Sequence, residues 1–177
     1  KEVIYSDPSR FEQVNESLQR EIEHRSKESV VLHHKEKYNG QFPIWVIVEF
    51  LSFNAISKYY SSLKYSDQKN IAENTFEIGE YYYTSWIHAL SVLRNICAHH
   101  GYLYLRTYSV KPKLFKEHSR QFDNDNLFAF SLILKRLSER QTWNEFIKNL
   151  VDRENNGSLF TLRDYGFPEN WYNLLTQ

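Results

Sequence analysis

One short segment of the sequence combines residue types that can move a proton and bind a phosphate. Arg94, Asn95, His99 and His100 lie close together and are followed by Gly101. Histidine has an ordinary pKa near ~6.5, so it can accept or donate a proton around neutrality. Arginine keeps its charge and offers a planar fork of N–H groups to a phosphate. This segment is therefore the candidate functional site.

The same residues also have a purely structural interpretation. The helix dipole favours a histidine near a helix C-terminus. The Arg94 side chain can lie along the surface with its charged head in water, and Asn95 can bond to a neighbouring loop. The residue types alone leave both interpretations open, and it is their clustering beside a basic segment that favours a function.

A long helix, predicted over Glu77–His100, must position these residues. At about 100° per residue, one polar stripe of this helix holds His88, Ser91, Asn95 and His99. The opposite apolar face comprises Trp86, Ala89, Leu90, Leu93, Ile96 and Cys97. We therefore expect Trp86, Leu90, Leu93 and Cys97 to be core residues.

The positive charge of the chain is concentrated next to this helix. The chain has a formal net charge of zero, yet residues 94–120 hold six Lys or Arg and only Glu117 as an anion, a net charge of +5. Interleaved tyrosines make this segment either a surface for single-stranded RNA or a solvated loop whose tyrosines pack on the core. The candidate RNA-binding residues are His100, Tyr102, Tyr104, Arg106, Lys111, Lys113 and Lys116.

Other kinds of site are not expected. The sequence has no glycine-rich nucleotide loop and no H-E-x-x-H motif. Cys97, His99 and His100 lie at nearly consecutive helical positions that point in different directions, so we predict no metal and no cofactor. A single cysteine excludes an internal disulfide. The longest apolar run, Ile44–Val48, is too short for a membrane span.

Few glycines and prolines and no strand-like alternation predict an all-α fold in one domain, residues 1–177. In the first half of the chain, helices are predicted from Ser6-Asp7-Pro8 through Ile22, over Glu28–Tyr38 with an end at Asn39-Gly40, over Ile44–Leu51, over Ser52–Leu63, and from Ser66 or Asp67 to Phe76. The later predicted helices are Glu77–His100, Leu127–Leu137 and one from a capping box at Thr142–Glu145 to Val151. Residues 155–165 are predicted as a loop, and Pro168 as the start of a last turn through Trp171.

Two helices are predicted to be the most buried. Ile44–Leu51 is apolar nearly all round, and Trp86–Cys97 carries the apolar face described above. Trp45 is accordingly expected to be inaccessible to solvent. The chain has no methionine and its first residue is lysine, so we expect a native N-terminal region to be missing from this sequence.

Several motifs resemble those of the Abi family, bacterial abortive-infection proteins of the AbiD/AbiF type. Residues 94–101 read R-N-I-C-A-H-H-G, similar to the family signature R-N-x-C-A-H-H-G. The other similar segments, in chain order, are Pro43–Val46, Glu49–Phe53, Ser57-Lys58, Arg106, Lys111-Pro112 and Gly166–Pro168 with Trp171.

The resemblance implies an activity, because the family is related to HEPN domains, helical bundles that act as metal-independent ribonucleases. It implies a HEPN-like bundle with Arg94 and His99 as active-site residues, Asn95 as the polar residue of the motif, and a homodimer that joins two motifs. The implied setting is phage defence, or a toxin-like system, in the bacterial cytoplasm. Two alternatives stay open: a catalytically silent module that binds RNA or a regulatory partner, and a purely structural helical domain.

Overall fold

A computed structural model describes residues 8–156 and 161–177 of the chain. Within these residues the regular structure consists of helices, with no β-strand, and this confirms the predicted all-α class. The chain divides into two compact units, Lys1–Ile71 and Ala72–Gln177. None of the described helices combines the length and the apolar composition that crossing a bilayer requires.

The first unit holds α1 (Pro8–His24), α2 (Ser29–Lys37), α3 (Ile44–Phe50), α4 (Phe53–Ser62) and the start of α5 (Tyr65–Phe76). The second unit holds the end of α5, then α6 (Glu80–Ala98), α7 (Lys116–Ser119), α8 (Leu127–Leu137), α9 (Arg140–Asn155), a 3-10 helix (Leu162–Tyr165) and α10 (Trp171–Thr176). The predicted cap at Ser6-Asp7 lies outside the described residues.

In the first unit, α1 packs against α3 and α4. Ile22, Val31 and Phe50 form a small buried cluster between the helices. Helix α2 ends before Asn39-Gly40, as predicted. Asn39 and Gly40 have left-handed φ values of 52° and 73°, respectively, and the Gly40 N–H donates to the His34 carbonyl at 3.0 Å.

The prediction that α3 is a central buried helix is wrong. Trp45 is 70% exposed and Val48 is 48% exposed, whereas Phe50 is buried. Helix α3 has only seven residues and ends at Leu51, where the backbone is extended. Val46 and Phe50, four positions apart, share the inward face, while Trp45 and Val48 share another. An all-round apolar pattern does not reveal which face of a short helix is covered.

The core of the second unit is built on α6 and α8. The side chains of Trp86, Leu90 and Leu93 on α6 are at most 8% exposed, which confirms the predicted apolar face. Helix α8 has the predicted bounds, and its residues 128–133 are all buried. The helix that is covered on every side is thus α8.

Helix α9 does not begin with the predicted capping box at Thr142. The helix runs from Arg140 to Asn155. Its N-cap is Glu139, whose side chain makes no capping bond. The Trp143 N–H donates to the Glu139 carbonyl at 2.9 Å, so Thr142 already lies inside the first turn. The buried Trp143 ring, whose Nε1 donates to the Leu175 carbonyl at 2.9 Å, fixes this helix start by tertiary packing.

A glycine holds the 3-10 helix against α8. Gly166 follows that helix at φ 84°, and a Cβ built there would lie 2.5–2.8 Å from side-chain atoms of Asn126. Asn126 caps α8 by accepting the Ala129 N–H at 3.1 Å. Phe167, the next residue, packs edge-on against Phe128 at 5.4 Å. The chain then enters α10 at Trp171, whose N–H donates to the Pro168 carbonyl at 3.0 Å.

We expect Gly166→Ala to destabilise the protein more than Gly40→Ala does. Both positions have a left-handed backbone, which costs an alanine roughly 1–2 kcal/mol. A Cβ at Gly40 meets no atom within 4 Å, whereas a Cβ at Gly166 would overlap Asn126. Urea unfolding followed by circular dichroism measures the difference, and equal losses of stability would contradict the close approach to Asn126.

Candidate active site

Helix α6 ends in a tight turn that presents two adjacent histidines. His99 is the C-cap, and His100 takes a left-handed conformation at φ 54°. The His100 N–H donates to the Cys97 carbonyl at 3.1 Å, and the Gly101 N–H donates to the Ile96 carbonyl at 2.7 Å. This pair of bonds is a Schellman motif, which satisfies carbonyls left open at a helix end. Both histidines therefore occupy defined positions at the exposed end of the helix.

Only glycine fits at position 101. A Cβ there would lie 2.7 Å from Ile96 Cγ2 and 2.9 Å from the Ile96 carbonyl oxygen. The turn therefore requires a residue without a side chain at its second position. It also places a histidine in the left-handed conformation at its first position, where a glycine would be less strained.

Asn95 bonds to Arg94 through its side chain and to His99 through the helix backbone. The Arg94 Nη1 donates to the Asn95 Oδ1 at 3.3 Å, and the Asn95 backbone carbonyl accepts the His99 N–H at 3.0 Å. Arg94 and His99 are exposed and Asn95 is half-buried. Within the described part of the chain, no hydrogen bond or ion pair involves the imidazoles of His99 and His100. The three predicted catalytic residues thus lie within the last two turns and the C-cap of α6, and both imidazoles are on exposed residues.

The two faces of α6 differ from the helical wheel at two positions. Ser91, predicted on the polar stripe, is fully buried and donates its hydroxyl to the His88 carbonyl at 2.8 Å. Cys97, predicted as a core residue, is exposed, so that prediction is wrong. The wheel gives the direction of a side chain but not the point along the helix at which its neighbours stop covering it. The last turn of α6 extends beyond that point.

The segment after the turn begins with an exposed aromatic and cationic loop. Tyr102 is 85% exposed and Tyr104 is 41% exposed. The Arg106 Nη1 donates to the Tyr102 carbonyl at 3.1 Å, and its guanidinium lies 5.8 Å from the centre of the Tyr108 ring. Leu105 has a left-handed φ of 47°, which bends the loop between these residues. His100, Tyr102, Tyr104 and Arg106 therefore follow the catalytic candidates directly.

Farther along, the segment returns beside the N-terminal half of α6. The Lys113 N–H donates to the Ser85 hydroxyl at 2.9 Å, and the Lys113 carbonyl accepts from the Trp86 Nε1 at 2.6 Å. The Lys113 ammonium lies 3.1 Å from the centre of the Tyr81 ring. At 1.5 Å per residue, Ser85 is about 20 Å along the helix from His99. The structure therefore does not bring Lys113 to the catalytic candidates.

The two remaining lysines have different surroundings. The Lys111 ammonium forms an ion pair with Asp125 at 2.9 Å. Lys116 is exposed at the start of α7, directly after Phe115, whose ring packs against Tyr82 at 4.6 Å near the N-terminus of α6. The basic segment is one continuous stretch in sequence but two separate surfaces in space.

Tyr108 belongs to the core and not to the exposed loop. Its ring is 2% exposed and packs on Phe130 at 4.8 Å. Its hydroxyl has no hydrogen-bond partner among the described residues. Burial raises the pKa of Tyr108 to about 12, an effect that the nearby Cys97 reinforces and the Arg106 charge opposes. The two interpretations of the tyrosines thus apply to different residues, since Tyr108 packs on the core while Tyr102 and Tyr104 are exposed.

Two residues that the sequence did not single out lie against this loop. The Tyr104 and Tyr165 rings meet edge-on at 6.2 Å, and the Arg153 Nη2 donates to the Tyr165 hydroxyl at 3.4 Å. The Leu105 N–H donates to the Asp164 carbonyl at 3.0 Å and ties the loop to the 3-10 helix. About sixty positions separate the loop from its partners on the 3-10 helix, and no local pattern links them. Only the Gly166 motif next to Tyr165 drew attention to this region.

No group of three or more His, Cys, Asp or Glu side chains suited to hold a metal occurs in residues 8–156 and 161–177.

We expect Tyr108→Phe to leave the stability at neutral pH unchanged or slightly higher, because it removes a buried hydroxyl that has no partner. The pKa of the folded state, about 12, exceeds the ordinary value of 10.0. The unfolded chain therefore loses this proton first, and stability falls as pH rises from about 10 to about 12. Urea unfolding at neutral and alkaline pH should show that the variant loses less stability. An equal loss in both proteins would contradict the burial of this hydroxyl.

A family of known proteins matches the part of the chain that carries this site. A family model described as "Abi-like protein" matches residues 1–105, more than half of the 177 residues. The match includes the whole Arg94–Gly101 block and ends before Arg106. No curated protein and no solved structure matches the chain. The family match and the motif block agree, and the chain belongs to the Abi-like family.

Proposed function

We propose that this chain is a metal-independent endoribonuclease of an abortive-infection or toxin-like system. Membership of the Abi-like family associates it with abortive infection, a form of phage defence. The observation that carries the enzymatic proposal is the exposed His99 at the turn of α6, with Arg94 bonded to Asn95 one turn earlier. The relation to HEPN ribonucleases, stated above as a resemblance, is part of this proposal, as is a site of action in the cytoplasm.

The proposed reaction is an in-line displacement at phosphorus. The 2′-hydroxyl attacks the adjacent phosphorus while a base removes its proton, and the bond to the 5′-oxygen breaks while an acid protonates that oxygen. The products are a 2′,3′-cyclic phosphate and a 5′-hydroxyl end. His99 exchanges the protons, because imidazole titrates near neutrality. Arg94 binds the phosphorane oxygens, which gain negative charge in the transition state.

A homodimer would complete this site. One chain supplies a single Arg94 and a single His99, but the reaction needs a base and an acid at the same time. A two-fold interface that joins the C-terminal ends of two α6 helices would supply two of each. In support of this, His99, His100, Cys97 and Ala98 are all exposed on the single chain, so the helix end is open to a second copy.

RNA would be held by the exposed loop next to the turn. His100, Tyr102, Tyr104 and Arg106 are exposed and follow the catalytic candidates directly. Arg106 offers a charge to the phosphates, and the tyrosines offer ring surface to unpaired bases. Lys113 and Lys116, beside the N-terminal half of α6, would contact phosphates farther along the RNA. Lys111, paired with Asp125, is a further proposed phosphate contact.

A catalytically silent module that binds RNA or a regulatory partner is the second candidate. It is favoured by the absence, within the described residues, of any group that orients the His99 imidazole. A general base is usually oriented by a second group that bonds to it. The dimer must supply that group if the chain is an enzyme, whereas a binding module needs none.

We expect His99→Ala to slow RNA cleavage by ~10²–10⁴-fold, the usual contribution of acid–base catalysis. Arg94→Ala should also slow cleavage strongly, and Arg94→Lys should restore the rate only in part, because an ammonium lacks the planar fork. His88→Ala is the matched control, since His88 is an exposed histidine of the same helix, about 16 Å from His99. Product analysis of a labelled RNA in EDTA measures the rates and the end groups.

The samples for this assay must be folded and of known oligomeric state, which circular dichroism and sedimentation establish. Equal cleavage by the wild type and by His99→Ala would mean that the activity belongs to a contaminant. Binding without cleavage by a dimeric wild type, across several RNAs, would favour the silent module.

We expect Arg106→Gln to weaken RNA binding more than Lys111→Gln does. The Lys111 charge is already compensated by Asp125 at 2.9 Å, whereas Arg106 bonds to a neutral carbonyl. Removing a cation that binds one phosphate should lower the slope of log affinity against log salt by about one. Neither change should alter the rate of the chemical step. Fluorescence anisotropy over a range of salt concentrations measures both slopes, and a larger effect of Lys111→Gln would contradict this assignment.

A further inference from the structure

The surface next to the α6 turn is larger than the basic segment itself. The loop of residues 102–106 lies against the 3-10 helix, through the Leu105 N–H bond to the Asp164 carbonyl and the edge-on contact of the Tyr104 and Tyr165 rings. Arg153, near the end of α9, then bonds to the Tyr165 hydroxyl. Residues from three separate parts of the second unit thus form one aromatic and cationic surface, on which Tyr104, Arg106 and Arg153 are exposed and Tyr165 is half-buried.

The charges on this surface are not compensated. Arg106 bonds to a carbonyl and Arg153 to a phenol, and each guanidinium lies 5.8 Å from the centre of a tyrosine ring. Neither has a carboxylate within ion-pair distance in the described part of the chain. By contrast, the neighbouring Arg163 pairs with Glu169 at 2.6 Å. Arg106 and Arg153 therefore keep their charge for an external anion.

The nearest acidic side chain on the 3-10 helix is already engaged. The Asp164 carboxylate accepts the Thr161 N–H at 2.8 Å and the Thr161 hydroxyl at 3.1 Å, and so caps its own helix. Gly166, next in the chain to Tyr165, is the residue that lets this helix approach Asn126 and α8. The close approach at Gly166 therefore fixes the backbone next to Tyr165 against α8.

We propose that Tyr104, Tyr165, Arg106 and Arg153 form a subsite for unpaired nucleotides of an RNA next to the α6 turn. This inference rests on the proposed binding of RNA at that turn and adds Tyr165 and Arg153, from two other parts of the chain, to the residues that hold unpaired nucleotides. Every nucleobase has a face that can stack on a tyrosine, and two arginines without carboxylate partners suit the linking phosphates. A duplex keeps its bases stacked within the helix and offers no face to these rings. The subsite therefore selects single strands.

The test uses the full chain with His99→Ala, so that the RNA stays intact. Affinity for a short single-stranded oligouridine and for the same strand in a duplex is measured by fluorescence anisotropy. Tyr165→Ala should weaken binding of the single strand by about 5- to 150-fold, the usual effect for one stacked base. Arg153→Gln should lower the salt slope by about one. Tyr165→Ala should leave the affinity for the duplex unchanged, because a duplex offers no base face to this ring.

Arg140→Gln is the matched control. Arg140 is an exposed arginine of the same helix, α9, about 20 Å from Arg153. The Arg140→Gln variant should bind the single strand with unchanged affinity and an unchanged slope of log affinity against log salt. Arg153→Gln replaces an exposed side chain, so its result holds even where Tyr165→Ala fails to fold. In addition, photo-crosslinking of iodouridine RNA should label a peptide that contains Tyr104 or Tyr165.

The outcomes separate this inference from the proposed nuclease activity. Equal binding of the single strand by Arg153→Gln, Arg140→Gln and the parent would overturn the subsite, even where His99→Ala abolishes cleavage. Weakened binding by Arg153→Gln, with no cleavage by the wild type, would establish the subsite and remove the nuclease proposal. A wild type that binds no RNA would overturn both.

Discussion

The hydrogen bond from the Gly101 N–H to the Ile96 carbonyl, 2.7 Å long, determines the arrangement of the whole site. It ends α6 within one residue of His99 and reverses the chain at His100. This reversal leaves both imidazoles at an exposed helix end and sends the next fifteen residues back along α6 towards Ser85 and Trp86. A Cβ at position 101 would overlap the same carbonyl, so the geometry of the turn and the glycine require each other. Continuation of the helix would move the histidines away from the loop that follows them.

This reversal also divides the positive charge of the segment into two groups. Arg106 stays in the loop next to the turn. Lys113 lies near the other end of α6, where its ammonium packs on Tyr81 and its backbone bonds to Ser85 and Trp86. The backbone of this lysine supports the core, because its carbonyl satisfies the indole N–H of a buried tryptophan. A net charge summed along the sequence therefore overstates the charge available near His99. What counts for a bound phosphate is the position of each cation and the identity of its partner.

The sequence predicted those elements whose signals are local. The bounds of α8, the cap at Asn39-Gly40 and the buried face of α6 all follow from patterns within a few turns of a helix. The failures share a different cause, because each depended on the position of a neighbouring element. Trp45 is exposed since α3 is short and covered on one face, and Cys97 is exposed since α6 extends past its neighbours. The contact between Tyr104 and Tyr165 joins segments about sixty residues apart, and no periodicity within either segment encodes it.

The arginines around the turn share one physical feature, which is that each bonds to a neutral acceptor. Elsewhere in the described chain, Lys111, Arg163 and Arg25 pair with carboxylates. Such a pair must be broken or shared before the cation can bind a phosphate. An exposed ion pair itself stabilises the protein by at most about 1 kcal/mol, because holding both side chains in place costs entropy. At the turn, Arg94 bonds to an amide, Arg106 to a carbonyl and Arg153 to a phenol. These neutral acceptors orient each guanidinium while leaving its charge and most of its five N–H donors available. A phosphate that arrives there meets oriented donors without having to displace an anion, which is the electrostatic preorganisation that binding and cleavage of a polyanion both require.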